Sequence, residues 1–446
     1  MYIGFDYGTA NCSVASMQDE NPVLIPLERD SLYIPSTLAA PTRDSVSEHL
    51  FRHRQISPAD ALGEQLLRRS VAANRDEDID LQFDDVVFGQ AALDLYLSDP
   101  HEVYYVKSPK SFLGAMGLHD IQLSFFEDLV CAMMANIKTQ AEARSNAVID
   151  DAVIGRPVNF HGRGGEDSNR QAENILRRAA TRAGFRHLEF QFEPVAAGLE
   201  YEATLNEDKT VLVVDIGGGT TDCSLIQMGP SWRGKADRTQ SLIAHTGQRV
   251  GGNDLDIHLA FKQLMTPFGF GSQTQSGLEM PITQFWNPIA INDVSAQAKF
   301  FARENLADLK RLHKEAREPE KLARLLAVYH DTLGYSLVKK AEESKIALSE
   351  SAQVTALSEL LEVDIQREAM IEAIDAPKTK MIELVTEAVT LGGVTPDVIF
   401  MTGGSARSPI LRAGVEQALP NVPVVSGNYF GSVTAGLARW AQVCFR

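Results

Sequence analysis

The chain has 446 residues, of which 44% are hydrophobic and 23% charged, the profile of a globular protein of two or more domains. A net charge of −17 argues against nucleic acid or an anionic membrane as the main partner. No apolar run approaches the ~20 residues of a transmembrane helix.

From the N-terminus, strand-type runs occupy Tyr2 to Asp6, Ser13 to Met17 and Val23 to Leu27, and "SLYIPSTLAA" continues extended. This start at Tyr2 is expected to leave no room for a signal peptide. Cys12, Cys131, Cys223 and Cys444 lie far apart without a C-x-x-C, which fits a reducing compartment and predicts a cytoplasmic protein. From about Arg43 to Asp85 the composition turns to mixed charge, read as a solvated helical excursion with an acidic connecting loop. "DAVIGRPVNF" (151–160) is a buried strand ending at Pro157. "SNRQAENILRRAATRAG" follows as a helix capped by Asp167 or Ser168 and stopped by Gly184. "LEFQFEP" is then a strand, and "PVAAGLEYEAT" a helix packed through small residues.

Residues 211–228, "VLVVDIGGGTTDCSLIQM", place three glycines between two β-type runs and predict a hairpin. "SLIAHTG" is the next strand, and "GGNDLDIHLAFKQLM" a helix with glycines at its start. Residues 266–290, rich in Gly, Pro and Gln, are expected to form a mobile loop. Residues 296–349 read as mostly helix, broken near Pro319 and Gly334. The last quarter alternates again: helices between Glu368 and Leu391, a strand "DVIFM", a glycine turn, a helix from Pro409, a strand "VPVVS" and a closing helix. Strands alternating with helices in both halves predict an α/β architecture with helices packed on sheets.

The 211–228 hairpin lacks the Lys-Ser/Thr of a P-loop and the G-x-G-x-x-G entry into a helix of a Rossmann turn. Residues 2–17, "YIGFDYGTANCSVASM", repeat its arrangement half a chain earlier, with Asp6, Gly8 and Thr9 in place of Asp215, Gly217 and the threonines. The repetition suggests two related lobes presenting hairpins to a shared cleft. Glycines let backbone N–H groups approach phosphate oxygens, and magnesium is held through one or two carboxylates while keeping most of its waters. Asp6 and Asp215 are therefore candidates for the metal's water shell. Gly8 and Gly217 to Gly219 would close on phosphates, and Thr9, Thr220 and Thr221 offer hydroxyls. Gly403 and Gly404, between a strand and the helix from Pro409, either admit an adenine or ribose against bare backbone or form a structural turn. "NFHGRGGEDSNRQ" (159–171) is an anion site or a plain loop.

These blocks resemble the nucleotide-binding domain of the DnaK-type, seventy-kilodalton heat-shock chaperones, within the actin/hexokinase ATPase superfamily. "IGFDYGTANCSVA", "FEPVAAGLEY", "VVDIGGGTTDCSLI", "VGGNDLD", "AEESKIALS" and "MTGGSARSPI" carry the resemblance, in family order and over nearly the whole chain. The sequence is most similar to short bacterial relatives called YegD-type putative chaperones. The resemblance implies an actin/hexokinase-like fold of two lobes, with duplicated mixed sheets flanked by helices around a nucleotide cleft. Lobe I would span 1–192, with 43–111 as its outer subdomain and 426–446 returning to it. Lobe II would span 193–425, with 252–370 as its outer subdomain.

It further implies that Asp6 and Asp215 hold hydrated magnesium with Glu193 beside them. Gly8, Thr9, Ala10 and Gly217 to Gly219 would grip the phosphates of ATP or ADP, joined by Thr221. Thr220 would lie beside the γ-phosphate, and Asp222 would help position the attacking water. Gly251, Gly252 and Asn253 would approach from the second lobe. Glu342, Lys345 and Ser349, three and four residues apart on one helix face, would bind the adenosine. Gly403, Gly404, Ser405 and Arg407 would cover its other side. Lys110, in "KSFLG", takes the place of the family's catalytic lysine, with Lys107 the alternative.

Three features depart from the family pattern. Ala10 replaces a second hydroxyl residue after Thr9, Phe430 replaces an aspartate, and the sequence ends at Arg446, where a peptide-gripping module would follow. The function expected is a monomeric, slow, magnesium-dependent ATPase acting as a two-lobe switch, with a protein partner or client on the outer lobes. The alternatives are a small-molecule kinase of the same superfamily and a non-hydrolysing nucleotide-gated scaffold.

Overall fold

The computed structural model describes residues 1–99, 102–160, 165–235, 238–427 and 431–446. Phe430 and the 161–164 part of the glycine- and arginine-bearing loop lie outside them.

Two sheets are built to one plan. In the first, an antiparallel meander of Tyr2–Tyr7, Asn11–Gln18 and Asn21–Leu24 is extended beyond Tyr2–Tyr7 by Asp151–Arg156 and then His187–Phe192, both parallel. The second repeats this order with Lys209–Ile216, Thr221–Met228 and Leu242–Gln248, extended by Val398–Thr402 and Val424–Ser426. In each sheet the central strand is flanked by a hairpin partner and a parallel partner. The first-strand aspartate, Asp6 or Asp215, is the penultimate residue before the hairpin turn.

Strand alternation explains how the sheets share a core. Leu212, Val214 and Ile216 face the core of the second lobe, while Val211 and Val213 face the opposite way. There they meet Val195 and Ala196 of helix Glu193–Glu202 and Leu437 and Ala441 of helix Ser432–Phe445. In the first sheet, Ile3, Phe5 and Tyr7 face their own core. Gly4, between them, is so close to the C-terminal helix that a Cβ would sit 2.2 Å from the Ala438 amide nitrogen. The C-terminal helix thus packs on strands of the first sheet and on helix Glu193–Glu202, which covers strands of the second. This crossing joins the lobes.

Three smaller units complete the fold. A three-stranded sheet of Thr37–Ala40, Val87–Phe88 and Tyr104–Lys107 and helices Asp44–Arg52 and Ala61–Asp76 form an outer part on the first lobe. Helices between 294 and 348 and the hairpin Gln353–Ser358/Leu361–Gln366 form one on the second. The 26-residue helix Asp120–Ser145 backs the first sheet.

The structure differs from the sequence expectation in three places. Residues 43–85 are packed rather than solvated: Ser47 donates to Asp128 (2.7 Å), and Asn74 donates to the buried Glu48 (2.6 Å). Polar side chains there satisfy one another inside, which composition cannot reveal. Residues 266–290 are anchored, not mobile, because Phe268 and Phe285 are fully buried and Thr274 bridges to Ala316. Helix Gly165–Arg182 starts before the expected Asp167 or Ser168 cap. Among the described residues no helix is long and apolar enough to cross a membrane, and all four cysteines are free thiols.

The helix crossing at the joint can be tested directly. A Cβ at Gly436 would lie 1.7 Å from the Ala196 carbonyl oxygen, and that oxygen belongs to backbone. Gly436→Ala is expected to cost roughly 1–3 kcal/mol of stability, as overpacking does. An unchanged midpoint in urea unfolding contradicts so tight a crossing.

Candidate functional site

The two hairpin tips meet each other. Built onto Gly218, a Cβ would lie 2.8 Å from the Ala10 Cβ, and onto Gly219, 2.6 Å from the Thr9 methyl carbon. Only glycine allows this approach. The second tip is fixed from behind by the helix Gly252–Leu259: the Gly252 amide donates to the Gly217 carbonyl (2.9 Å), and the Asn253 amide to the Gly218 carbonyl (2.8 Å). Ser405 donates its hydroxyl to the same Gly217 carbonyl (3.2 Å). Gly403, with φ +87°, passes within contact of Asp215, and a Cβ there would meet its carboxylate at 2.5 Å.

Between the lobes these loops line a cleft of about 510 Å³. On the first lobe it is walled by Asp6, Gly8, Thr9 and Ala10, with Glu193 at the joint. The second hairpin contributes Asp215, Gly217, Gly218 and Thr220, and the helix behind it Gly252 and Asn253. One flank carries Glu342, Lys345 and Ser349, and the other Gly403, Gly404, Ser405 and Arg407. Residues expected from six separate stretches of the sequence therefore share one cavity.

Five expected site residues lie off this cleft. Thr221 is buried and donates to the Val250 carbonyl (2.7 Å), so its hydroxyl serves the fold instead of facing the cleft. As a strand neighbour of Thr220 it points to the opposite face. Gly251 packs its Cα side onto the Gly218 carbonyl, 2.7 Å from a Cβ position. Asp222 is buried behind the tip, accepting from the Val158 amide (2.8 Å) and paired with the Thr220 hydroxyl. Lys110 and Gly219 line a second recess of about 10 Å³ with Thr9, Thr220 and Arg249.

The electrostatics centre on Lys110. Its ammonium is buried, donates to Glu193 at 2.5 Å and reaches the Gly155 carbonyl at 3.3 Å. Burial opposes its charge, but Glu193 and Asp6 outweigh that and hold its pKa above the lysine value. Lys107, the alternative, is elsewhere: it acts on Glu342 across the cleft, whose pKa its charge helps to lower against the effect of burial. Burial, reinforced by Glu193, pushes Asp6 up to about 7, and does the same to Asp222, also to about 7. Asp215 is raised well above its ordinary value by burial, then by Glu193, Asp222 and Asp6.

Such a set of crowded carboxylates suits a divalent cation. Among the described residues no three His, Cys, Asp or Glu side chains converge closely enough to ligate an ion directly. The donor set therefore fits an ion bound mainly through its waters, with Asp6 and Asp215 beneath it.

Several lining residues went unrecognised. Asp256 forms an ion pair with Lys345 (2.6 Å), one helical turn beyond Gly252. Ile346 lines the cleft although 61% exposed. It continues the Glu342, Lys345, Ser349 stripe at helical spacing, a signal the sequence did contain. Tyr33 and Arg249 carried no local signal.

The raised carboxylates make stability fall with pH. Between about pH 4 and pH 7 the folded chain holds protons on Asp6 and Asp222 that the unfolded chain has released, so stability present below that window is lost as pH rises through it. Asp215→Asn removes one of the group. Its thermal midpoint should match wild type at about pH 3.5, below that window, and exceed it by roughly 2–4 °C at pH 8. A difference independent of pH, read by calorimetry, contradicts the burial of an uncompensated charge.

Residues 119–270 match the family model described as Hsp70 protein. The matched segment contains Glu193, the hairpin with Asp215 to Asp222, and Gly251 to Asn253. Over that segment the chain is similar to Hsp70 proteins, and the paired sheets with the cleft between them have the actin/hexokinase-like ATPase fold that this similarity implies.

Proposed function

We propose that this chain binds ATP with magnesium in the interlobe cleft, hydrolyses it slowly to ADP and phosphate, and uses the change to shift its two lobes. One observation carries the reading: both glycine hairpins and the Asp6, Asp215 and Glu193 carboxylates line one cleft, and the Lys110 ammonium pairs with Glu193 from the adjoining recess. Magnesium, held through water by Asp6 and Asp215, would neutralise phosphate charge. The backbone of Gly8 to Ala10 and of Gly217 to Gly219 would grip the outer phosphates from both lobes.

Lys110, fixed by Glu193, is positioned to stabilise charge developing on the terminal phosphoryl group. Thr220, whose hydroxyl pairs with Asp222, would orient a water, and a carboxyl held near pKa 7 is suited to take its proton. The adenosine would lie toward Glu342, Lys345, Ile346 and Ser349 on one side and Arg407 on the other.

The small recess beyond the hairpin tips favours hydrolysis over phosphoryl transfer to a metabolite. At about 10 Å³ it is of the size that a single water fills. Two lobes joined at a helix crossing supply the element that a nucleotide-driven switch needs.

The test is magnesium-dependent ATP and ADP binding by titration calorimetry, with phosphate release followed in parallel. Wild type should bind both nucleotides and release phosphate slowly. Lys110→Ala should bind ADP normally and hydrolyse on the order of 10²-fold more slowly, and Thr220→Ala should be slowed by less. Binding without turnover would favour the scaffold reading, and no binding of either nucleotide would refute the proposal.

A further inference from the structure

Arg249 has no part in the site as built so far. It follows the strand Leu242–Gln248 of the second lobe and lines the small recess opposite Lys110 of the first, with Thr9, Gly219 and Thr220 between them. One end of its guanidinium is tethered: Nη2 donates to the Asn292 carbonyl. Asn292 is held in turn by its amide donating to Asp254 (2.9 Å), and Asp254 accepts from the Gly251 amide (2.8 Å) at the entry of helix Gly252–Leu259. The other side of the guanidinium is not satisfied, because Nε is buried and has no acceptor.

A charged donor buried without an acceptor is costly. The neighbouring carboxylates Asp254 and Asp293 soften the burial of the charge but accept nothing from Nε. Arg249 also neighbours two phosphate-gripping elements at once: it precedes Gly251–Gly252 by two residues, and it shares a recess wall with the Thr9 and Gly219 tips. A terminal phosphoryl group seated between those tips would present its outer oxygens to this recess. An anion there would supply the acceptor that Nε lacks and face a cation from each lobe.

We propose that Arg249 is a catalytic residue, an arginine supplied in cis by the second lobe, which binds the terminal phosphoryl group and stabilises its transition state opposite Lys110. The inference rests on the nucleotide reading above and extends it. In the reaction, the oxygen of a recess water bonds to the terminal phosphorus, and the bond from that phosphorus to the bridging oxygen breaks. The electron pair leaves on ADP, and a proton of the water passes to the Thr220 hydroxyl, whose own proton passes to the Asp222 carboxylate it is paired with. Negative charge spreads over the transferring oxygens, and Lys110 and Arg249 meet it from the two sides. Because the cations come from different lobes, only the closed arrangement places both, which couples chemistry to lobe closure.

The experiment uses the full chain and three proteins: wild type, Arg249→Ala and Arg249→Lys. ADP affinity, ATP affinity and single-turnover phosphate release are measured for each. Arg249→Ala should keep wild-type ADP affinity, which also reports that it folds, and lose the preference for ATP over ADP. Its single-turnover rate should fall on the order of 10²-fold. Arg249→Lys, which keeps the charge without the planar fork, should recover part of the rate. If Arg249→Ala retains both the ATP preference and the rate while melting lower, the residue only anchors the Asn292 turn and the proposal is overturned. Should Arg249→Ala fail to bind ADP, Arg249→Lys decides: full rate and unchanged ATP preference refute the role, and a partial loss of both supports it. If wild type binds nucleotide without hydrolysing it, the ATP-to-ADP affinity ratio alone decides. Wild type that binds no nucleotide removes the nucleotide reading itself, and this inference with it.

Discussion

Like charges held out of water at the joint of two lobes set the terms for the rest of the molecule. Burial, and next to it the charge of Glu193, raises Asp6, Asp215 and Asp222, and the Lys110 ammonium is already engaged by Glu193. Ionising such a group costs free energy, which the fold tolerates because the hydrophobic clusters on and between the two sheets hold the strands in place regardless. The arrangement is poor for the stability of the empty protein and well suited to a bound cation with phosphate. Function here is written as stored electrostatic stress, as at many active sites.

That stress can be focused only because the backbones come so close. Ala10 and Thr9 lie against Gly218 and Gly219, and Gly403 lies against Asp215. The repeated strand order places equivalent aspartates at the ends of equivalent strands, and the two sheets then present them to one another across helices Glu193–Glu202 and Ser432–Phe445. The first residue of the former helix is Glu193 itself. The element that joins the lobes therefore also carries the partner of Lys110, so movement at the joint reaches the ion pair without an intermediary.

Much of this was legible in the sequence because its chemistry is local. An aspartate, a glycine tip and a threonine between two β-type runs define a hairpin wherever they occur, and Glu342, Lys345 and Ser349 share a helix face by spacing alone. Lys110 is marked in the sequence only by its neighbours in the chain. What could not be read depends on which distant segment packs where. Thr220 and Thr221 are adjacent and chemically alike, and only the sheet decides that one faces the cleft while the other bonds Val250. Ser47, Glu48 and Asn74 look like a solvated face until the helix carrying Asp128 is laid across them. Arg249 gave no signal because its meaning comes from Asn292 and from a recess formed by both lobes. Ile346 is hidden for the opposite reason: it is apolar in a stripe of polar residues, and the spacing alone marks a polar stripe.

Helix Gly334–Leu348 connects the mouth of the cleft to its interior. Near its start, Tyr335 meets Tyr96 and Tyr105 of the first lobe edge-on, with ring centroids 5.8 and 5.2 Å away, and Tyr96 donates to the Thr332 carbonyl. Two turns further on, the same helix carries Glu342, which feels Lys107 of the first lobe, and then Lys345 and Ile346 on the cleft wall. Tyr96 and Tyr105 are themselves stacked, centroids 4.5 Å apart, so the cluster separates as a unit across the Tyr335 ring. Drawing this helix away from the first lobe breaks an aromatic contact, a hydrogen bond and a charge interaction together, and it moves the cleft wall of Lys345 and Ile346 by the same displacement. A helix is stiff over this length, so a contact made at one end is felt at the other. The tyrosines and the cleft wall are two ends of one lever, and the cost of parting the tyrosines is part of the cost of opening the cleft.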